Sequence, residues 1–563
     1  MIERELMESR ATLGPEMRLG RYETSVLARL ERWQAEGFGR RLWGKDHTVW
    51  SPQPVRELTD RLGWLKLPES MRTEAEDLAR FGMEARSGGF RDAVVLGMGG
   101  SSLAPEVFAR TFGFSTSGNG YPALTVLDST HPAAVRAVAD RLDPTRTLFV
   151  VSSKSGTTTE TLSLFHAFWQ WAAESLASTI EAGRRFVAIT DPGTPLEKLA
   201  RERGFRAVFN APEDVGGRYS ALTNFGLVPA ALIGVDIREL LTRGRVMAEA
   251  CTEPGASNPG LHLGAALGEL ALAGRDKLTF LASRGIESFP DWIEQLVAES
   301  TGKTGRGIVP VVGERPADPG LYGSDRFFVG LLLGDDRPLE QRLAALEAAG
   351  HPVARFRLAD PFDLGREMFR WEMATAAAGA VLGVNPFDQP DVQLAKELAT
   401  RAMKERSSGA PPPPADEIRV SDAGPLGSAL EHWLAGAGAG SYLGVHAYLP
   451  ATSETTEALH EIQARLRDRT RLATTLGYGP RFLHSTGQLH KGGPDTGRFL
   501  QIVDEPQHDL PVPEADFTFG TLIRAQADGD RSALEQRGRR VMRVNLGGDI
   551  SGGLARLREA LGS

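Results

Sequence analysis

The chain is nearly devoid of cysteine: Cys251 is the single one in 563 residues. That excludes an intramolecular disulfide and any zinc site built on paired cysteines. No apolar run reaches the roughly 20 residues that a membrane-crossing helix needs, so no membrane partner is expected. No long basic run occurs and the formal net charge is −8, which argues against a nucleic-acid groove. The opening M-I-E-R-E-L-M-E-S-R lacks the apolar core of a secretory leader, and a cytoplasmic location is the expectation. No H-x-H, H-E-x-x-H or G-x-x-x-x-G-K-[ST] pattern is present, so neither a metal nor a nucleoside triphosphate is expected, and no cofactor. What is there is ordinary globular material, 41% hydrophobic and 24% charged. The length suits three or four domains.

Residues 1–85 read as mostly helical, with apolar positions at helical spacing in Tyr22–Trp33 and a packing loop at Leu42–Trp50. From residue 93 short Val-rich runs alternate with amphipathic stretches: A-V-V-L-G, A-L-T-V-L-D, T-L-F-V-V-S-S, R-F-V-A-I-T-D and R-A-V-F-N. Such runs signal a parallel sheet with crossover helices, and 86–265 reads as one doubly wound α/β domain. A second α/β unit, 266–406, takes its strands from Lys277–Ser283, Gly307–Gly313, Arg326–Leu333 and Val353–Leu358, followed by a helix over Asp363–Leu382. S-S-G-A-P-P-P-P marks a linker, 407–418, because consecutive prolines favour an extended spacer. A further α/β segment, 419–563, has strands in S-Y-L-G-V-H-A-Y-L and R-F-L-Q-I-V. Its F-T-F-G-T-L-I-R-A-Q faintly echoes P-F-D-L-G-R-E-M-F-R-W of the second unit, by partial duplication or by chance.

Several segments carry chemistry. G-M-G-G-S-S (Gly97–Ser102) follows a strand, and its Gly99, Gly100 and Ser101 allow backbone amides close to a ligand, or serve as a tight turn. Ser153-Lys154-Ser155-Gly156-Thr157-Thr158-Thr159-Glu160-Thr161 also follows a strand and opens a helix. Hydroxyls, a Lys and amides at a helix start make a phosphate cradle. Gly216-Gly217-Arg218 offers a permanently charged fork beside two glycines. Gln295 and Glu299, four apart, share a helix face that Gly302 is expected to end. N-P-F-D-Q-P is a turn carrying Gln389, followed by a helix that takes Lys396 inward. His484-Ser485-Thr486-Gly487-Gln488-Leu489-His490-Lys491-Gly492-Gly493 is a loop rich in proton-transfer chemistry.

Together G-M-G-G-S-S, S-K-S-G-T-T, E-S-T-G-K (Glu299–Lys303) and V-N-P-F-D-Q-P-D-V-Q-L-A-K (Val384–Lys396) resemble the sugar isomerase (SIS) superfamily, specifically the glucose-6-phosphate isomerases. The finer likeness is to the isomerase half of bacterial transaldolase–glucose-6-phosphate isomerase fusions. It runs over the whole chain, most tightly over 90–400. The resemblance implies an α/β fold of two doubly wound SIS domains and a small-molecule sugar phosphate as partner. It implies that Ser153, Ser155 and Thr158 bind the substrate phosphate with Lys154 nearby, and that Gly100, Ser101 and Gln295 border the substrate. By the same likeness, Arg218 stabilises an enediolate, Glu299 moves the proton between C2 and C1, Lys396 lies near the ring oxygen and Gln389 near the sugar. The upstream 85 residues are too few for a transaldolase barrel, so no transaldolase activity is expected.

One departure stands out. In the family a ring-opening His lies between E-S-x-G-K and N-P-F-D-Q-P, where this chain has only His351, in A-A-G-H-P. The H-S-T-G-Q run lies beyond the proline linker instead. His484 is the expected substitute, with His490 as the other choice. The family His comes from the neighbouring subunit of a dimer. The chain is therefore expected as a homodimer, or as a monomer if the appended domain supplies His484 in cis. Two other readings are a broader isomerase also taking mannose 6-phosphate, and a non-catalytic SIS-type sensor, against which Glu299, Arg218 and Lys396 together argue.

Overall fold

The structure, a computed structural model, describes residues 13–116, 118–407, 417–421 and 423–562. The side chains of 114–116, 393, 395, 396, 404–407 and 423–425 are outside that description. The proline run of the expected linker falls in 408–416 and so lies outside it too.

The strands are β1 (Glu16–Arg18), β2 (Asp92–Gly97), β3 (Ala123–Leu127), β4 (Thr147–Ser152), β5 (Phe186–Thr190), β6 (Ala207–Asn210), β7 (Lys277–Ala282), β8 (Val309–Val311), β9 (Arg326–Leu333), β10 (Val353–Leu358), β11 (Glu417–Arg419), β12 (Tyr442–Tyr448), β13 (Ala473–Tyr478), β14 (Gly497–Val503) and β15 (Arg540–Asn545). They form three five-stranded sheets. The first is parallel throughout, in the order β3-β2-β4-β5-β6. Every residue of β4 and β5 is buried, so these strands read as unbroken apolar runs without alternation.

The second sheet runs β8-β7-β9-β10-β1, with β1 antiparallel to β10 and the rest parallel. The first 85 residues are thus not wholly helical. Three residues, Glu-Met-Arg, are too few to show a period, and their place is fixed by pairing with Arg355, Ala354 and Val353. Behind this sheet lies the helix Asp363–Leu382, packed on the helix Pro259–Leu272. Gly264 permits that approach, since a Cβ there would meet Ala377 Cβ at 2.6 Å and Ala374 O at 2.7 Å.

The third sheet is β13-β12-β14-β15-β11, all parallel. Three of its strands are not apparent from the sequence: β11, which begins within the expected linker, and β13 and β15. β13 is A-T-T-L-G-Y, and β15, R-V-M-R-V-N, buries Arg543, which donates to Gln501 at 2.6 Å and pairs with Asp528 at 2.6 Å. The order β13-β12-β14-β15 repeats β8-β7-β9-β10, but β3-β2-β4-β5 repeats it as well. The two echoing segments hold non-equivalent places. Helix Asp363–Leu382 follows the fourth strand of its set, whereas Phe519–Gln536 lies between β14 and β15.

The third unit is seated against both others. An apolar seam joins Ala298, Val309 and Val311 to Tyr442, Leu489 and Phe499. Val512 and Phe519 join the core beside the first sheet. Glu314 is buried across the second junction, taking hydrogen bonds from Arg326 at 2.9 Å and from the Thr474 amide at 3.0 Å.

Candidate active site

Arg218 is the centre of the site. It sits on the short 3-10 turn Gly217–Tyr219 and is 3% exposed. Its Nε donates to Ser300 Oγ at 2.8 Å, and Nη1 donates to Gln389 Oε1 at 3.1 Å. Nη2 donates to the carbonyls of Pro386 at 2.6 Å and Asp388 at 2.9 Å. Nη1 also lies 3.3 Å from Glu299 Oε1. One guanidinium thereby ties G-G-R, E-S-T-G-K and N-P-F-D-Q-P into a single group.

Glu299 is carried by the helix Phe289–Thr301. Arg218 holds one of its carboxylate oxygens and Gln295 Nε2 the other, at 3.2 Å. Gln295 Nε2 also donates to the His484 carbonyl at 2.8 Å, while its Oε1 is buried without a hydrogen-bond partner. Gly302 does follow this helix, but with φ −77 rather than in the left-handed form of a glycine stop. The reason for a glycine there is contact: a Cβ would run into Leu489.

The H-S-T-G-Q loop reaches these motifs directly. The His484 ring Nε2 lies 3.0 Å from Glu160 Oε1, and Gln526 Nε2 donates to the same oxygen at 2.7 Å. Gln488 donates to Gly302 O at 3.0 Å and to Asp391 Oδ2 at 2.7 Å, and accepts from the Asp391 amide at 2.9 Å. Gly99 adopts φ +56, and a Cβ there would meet the His484 carbonyl at 2.7 Å. Gly100 faces Gly217 just as closely, and Ser101 is buried.

The hydroxyl-rich loop forms its own lattice. Ser153 and Thr158 hydroxyls lie 2.9 Å apart, Ser155 and Thr157 hydroxyls 3.0 Å, and the Gly156 amide donates to Ser153 Oγ at 3.2 Å. Thr158 precedes the helix Thr159–Leu176 and makes no side-chain cap bond to it, and a helix start is an end that favours an anion. A pocket lined by Ser155, Thr157, Thr158, Glu160 and His484, and also by Val392, Met403 and Leu522, opens here.

Two other expected residues, Lys154 and His490, stand apart from this group. Lys154 Nζ donates to Asp191 at 2.6 Å, and burial holds its pKa below the ordinary value despite that partner. His490 is 3% exposed and lies among Tyr442, His446, Phe482 and Phe499, its Nδ1 2.9 Å from Tyr442 Oη. Burial there drives its pKa well down. Lys396 belongs to the helix Val392–Ser407, and its side chain lies outside the described residues.

Two functional candidates are not apparent from the sequence alone. Glu160 reads as an ordinary first-turn helix acid until His484 is found beside it. Lys303 is buried next to Asp388 at 2.7 Å, donates to the Asn385 carbonyl, and has its pKa pushed down to about 7 by burial and by Arg218. Its place in E-S-T-G-K was the only signal. Among the described residues no cluster of three or more His, Cys, Asp or Glu is arranged to hold a metal ion.

The phosphoglucose isomerase family model matches residues 68–308. The glucose-6-phosphate isomerase of Rubrobacter xylanophilus is 32% identical over 391 residues, covering 62% of this chain and 90% of that protein. The chain belongs to the glucose-6-phosphate isomerase family. A second relative, a glucose-6-phosphate isomerase of Thermus thermophilus, is 30% identical over 385 residues, 61% of this chain and 90% of that protein. Among solved structures, a hypothetical protein of Thermus thermophilus is similar at TM-score 0.60 and 28% identity, covering 68% of this chain and 99% of its own. The fold of a glucose-6-phosphate isomerase from Chlamydia trachomatis is similar at TM-score 0.51 and 22% identity, over 64% of this chain and 78% of that one. These relatives and structures leave about a third of the present chain unmatched.

Proposed function

We propose that the chain interconverts glucose 6-phosphate and fructose 6-phosphate through a cis-enediol(ate), using His484 of its own third unit. The observation that carries this is one polar line across three units: Arg218 to Glu299, Glu299 to Gln295, Gln295 to the His484 carbonyl, and the His484 ring to Glu160. Family membership supports the reaction, and that line supports the assignment of its parts.

The substrate phosphate docks on Ser153, Ser155 and Thr158 at the start of the helix Thr159–Leu176, an end of a helix that favours an anion. His484, oriented by Glu160, moves the ring-opening proton, with Lys396 beside the ring oxygen. Glu299 takes the proton alpha to the carbonyl and returns it to the adjacent carbon. Arg218 is a preorganised cation for the charge that develops on the enediolate oxygens, the kind of stabilisation worth most in a buried site. Gly100, Ser101 and Gln389 complete the walls. Lys154, paired with Asp191, supports the phosphate loop from behind rather than meeting the substrate.

The site is thus complete within one chain, and a monomer is competent. The sheets support units at 86–265, 266–406 and 419–563. The finer likeness to the isomerase half of transaldolase fusions, and a cytoplasmic location, belong to the same reading. No helix among the described residues is long and apolar enough to cross a membrane.

The test is turnover of fructose 6-phosphate by the purified chain, coupled to glucose-6-phosphate dehydrogenase, with Glu299→Gln beside it. Wild-type turnover and near-total loss in the variant are expected. Binding of the sugar phosphate without turnover in the folded wild type would leave the sensor reading ahead. Mannose 6-phosphate in the same assay decides the breadth of range.

A further inference from the structure

His484 ends a short 3-10 turn, and Arg481 begins it. The Arg481 guanidinium leaves its own unit and enters a group of carboxylates belonging to the other two. It pairs with Glu106, lies 3.2 Å from Asp128 and 4.0 Å from Asp291. Glu106 is in the first turn of the helix Leu103–Thr116, just after G-M-G-G-S-S. Asp128 directly follows β3. Asp291 begins the helix that carries Gln295 and Glu299.

Apart from Arg481, the Ser102 hydroxyl supports Asp128 and the Arg110 charge acts on Asp291. Arg110 holds the far oxygen of Glu106, Oε1, at 2.8 Å. Asp128 Oδ2 and Glu106 Oε2 are buried and have no hydrogen-bond donor aligned on them. Burial raises the Asp291 pKa to about 6, and Arg481 is the first of the groups opposing that rise. Arg481 thus supplies the positive charge where three elements bordering the site converge. On its other side the turn is held by the Gln295–His484 bond and by Glu160.

We propose that Arg481 is a positioning residue for ring opening: an ion-pair latch that fixes the turn carrying His484 against Gln295 and Glu160. The inference rests on the reading of His484 given above. It assigns the third unit a purpose beyond supplying one side chain, since its docking onto acids from both other units sets the distance at which that side chain works.

The test is kinetic. Arg481→Met is expected to lower kcat/KM for fructose 6-phosphate by about 100-fold, the scale of a 1 Å misplacement. Arg481→Lys, which keeps the charge, restores a large part of the loss. In a His484→Ala background, Arg481→Met changes kcat/KM by less than about threefold, because coupled residues are not additive. The inhibition constant of glucitol 6-phosphate, an open-chain analogue with no ring to open, stays at the wild-type value in Arg481→Met. Wild-type kcat/KM in Arg481→Met overturns the proposal. So do losses that multiply with those of His484→Ala, or a glucitol 6-phosphate constant that rises in step with the lost activity, which would mark general undocking. If His484→Ala is itself fully active, the His484 reading has failed and the latch falls with it.

Discussion

Replacing Arg218 by lysine keeps the charge and removes the geometry. The guanidinium serves five acceptors: Ser300 Oγ, Gln389 Oε1, Glu299 Oε1 and the carbonyls of Pro386 and Asp388. An ammonium has three donors on a flexible stem and cannot span acceptors set around a planar fork. At least two acceptors therefore lose their partner. At about 1–3 kcal/mol for each buried group left unsatisfied, the variant loses about 2–6 kcal/mol, shared between folding and the organisation of the site. The transition state suffers further, because removing one preorganised donor costs about 100- to 1000-fold in kcat. Arg218→Lys is therefore expected to lose at least about 100-fold in kcat/KM in the coupled assay and to unfold at lower urea concentration. Activity within about fivefold of wild type, with an unchanged urea midpoint, would refute the view that this guanidinium organises the site.

Three further outcomes follow from single contacts. Glu160→Gln removes the carboxylate that orients the His484 ring and should lower kcat by about 100-fold, the low end for proton transfer by a positioned group, with the glucitol 6-phosphate inhibition constant unchanged; unchanged kcat would remove Glu160 from the mechanism. Gly302→Ala places a methyl against Leu489 and should displace the H-S-T-G-Q loop, giving weaker isomerase activity and faster proteolysis between the second and third units; wild-type values in both would contradict the contact. Lys303 has a folded pKa of about 7 against 10.5 in the ordinary state. Between these values the unfolded chain binds the extra proton, so this group makes the unfolding free energy rise with pH across the window and adds no slope below it. Lys303→Met should show a shallower rise than wild type between pH 7 and 10 in urea titrations, and equal slopes would refute the shift.

The legible parts of the fold were those with a period of their own. β2, β4, β5 and β9 are buried on both faces and announce themselves as Val- and Leu-rich runs, and the helix Asp363–Leu382 is long enough to show its spacing. β1 is three residues whose position depends on β10, and β15 interleaves arginines whose burial depends on Gln501 and Asp528. The site divides the same way. Arg218, Glu299, Gln295 and His484 were visible in short motifs, and the structure brings them into one group. Glu160, Lys303 and Arg481 acquire meaning only from partners more than 80 residues away in the chain. Gly302 reads as a helix stop because sequence shows neighbours along the chain, not Leu489 across it.

In the proposed mechanism the base and the ring-opening histidine act within one chain. Glu299→Ala and His484→Ala proteins, each far below wild-type activity alone, are unfolded together, refolded as a mixture and assayed on fructose 6-phosphate. The cis arrangement predicts no more activity in the mixture than in the two proteins kept separate, whatever the oligomeric state. Recovered activity would mean that one chain lends His484 to the Glu299 of another, and would contradict the account.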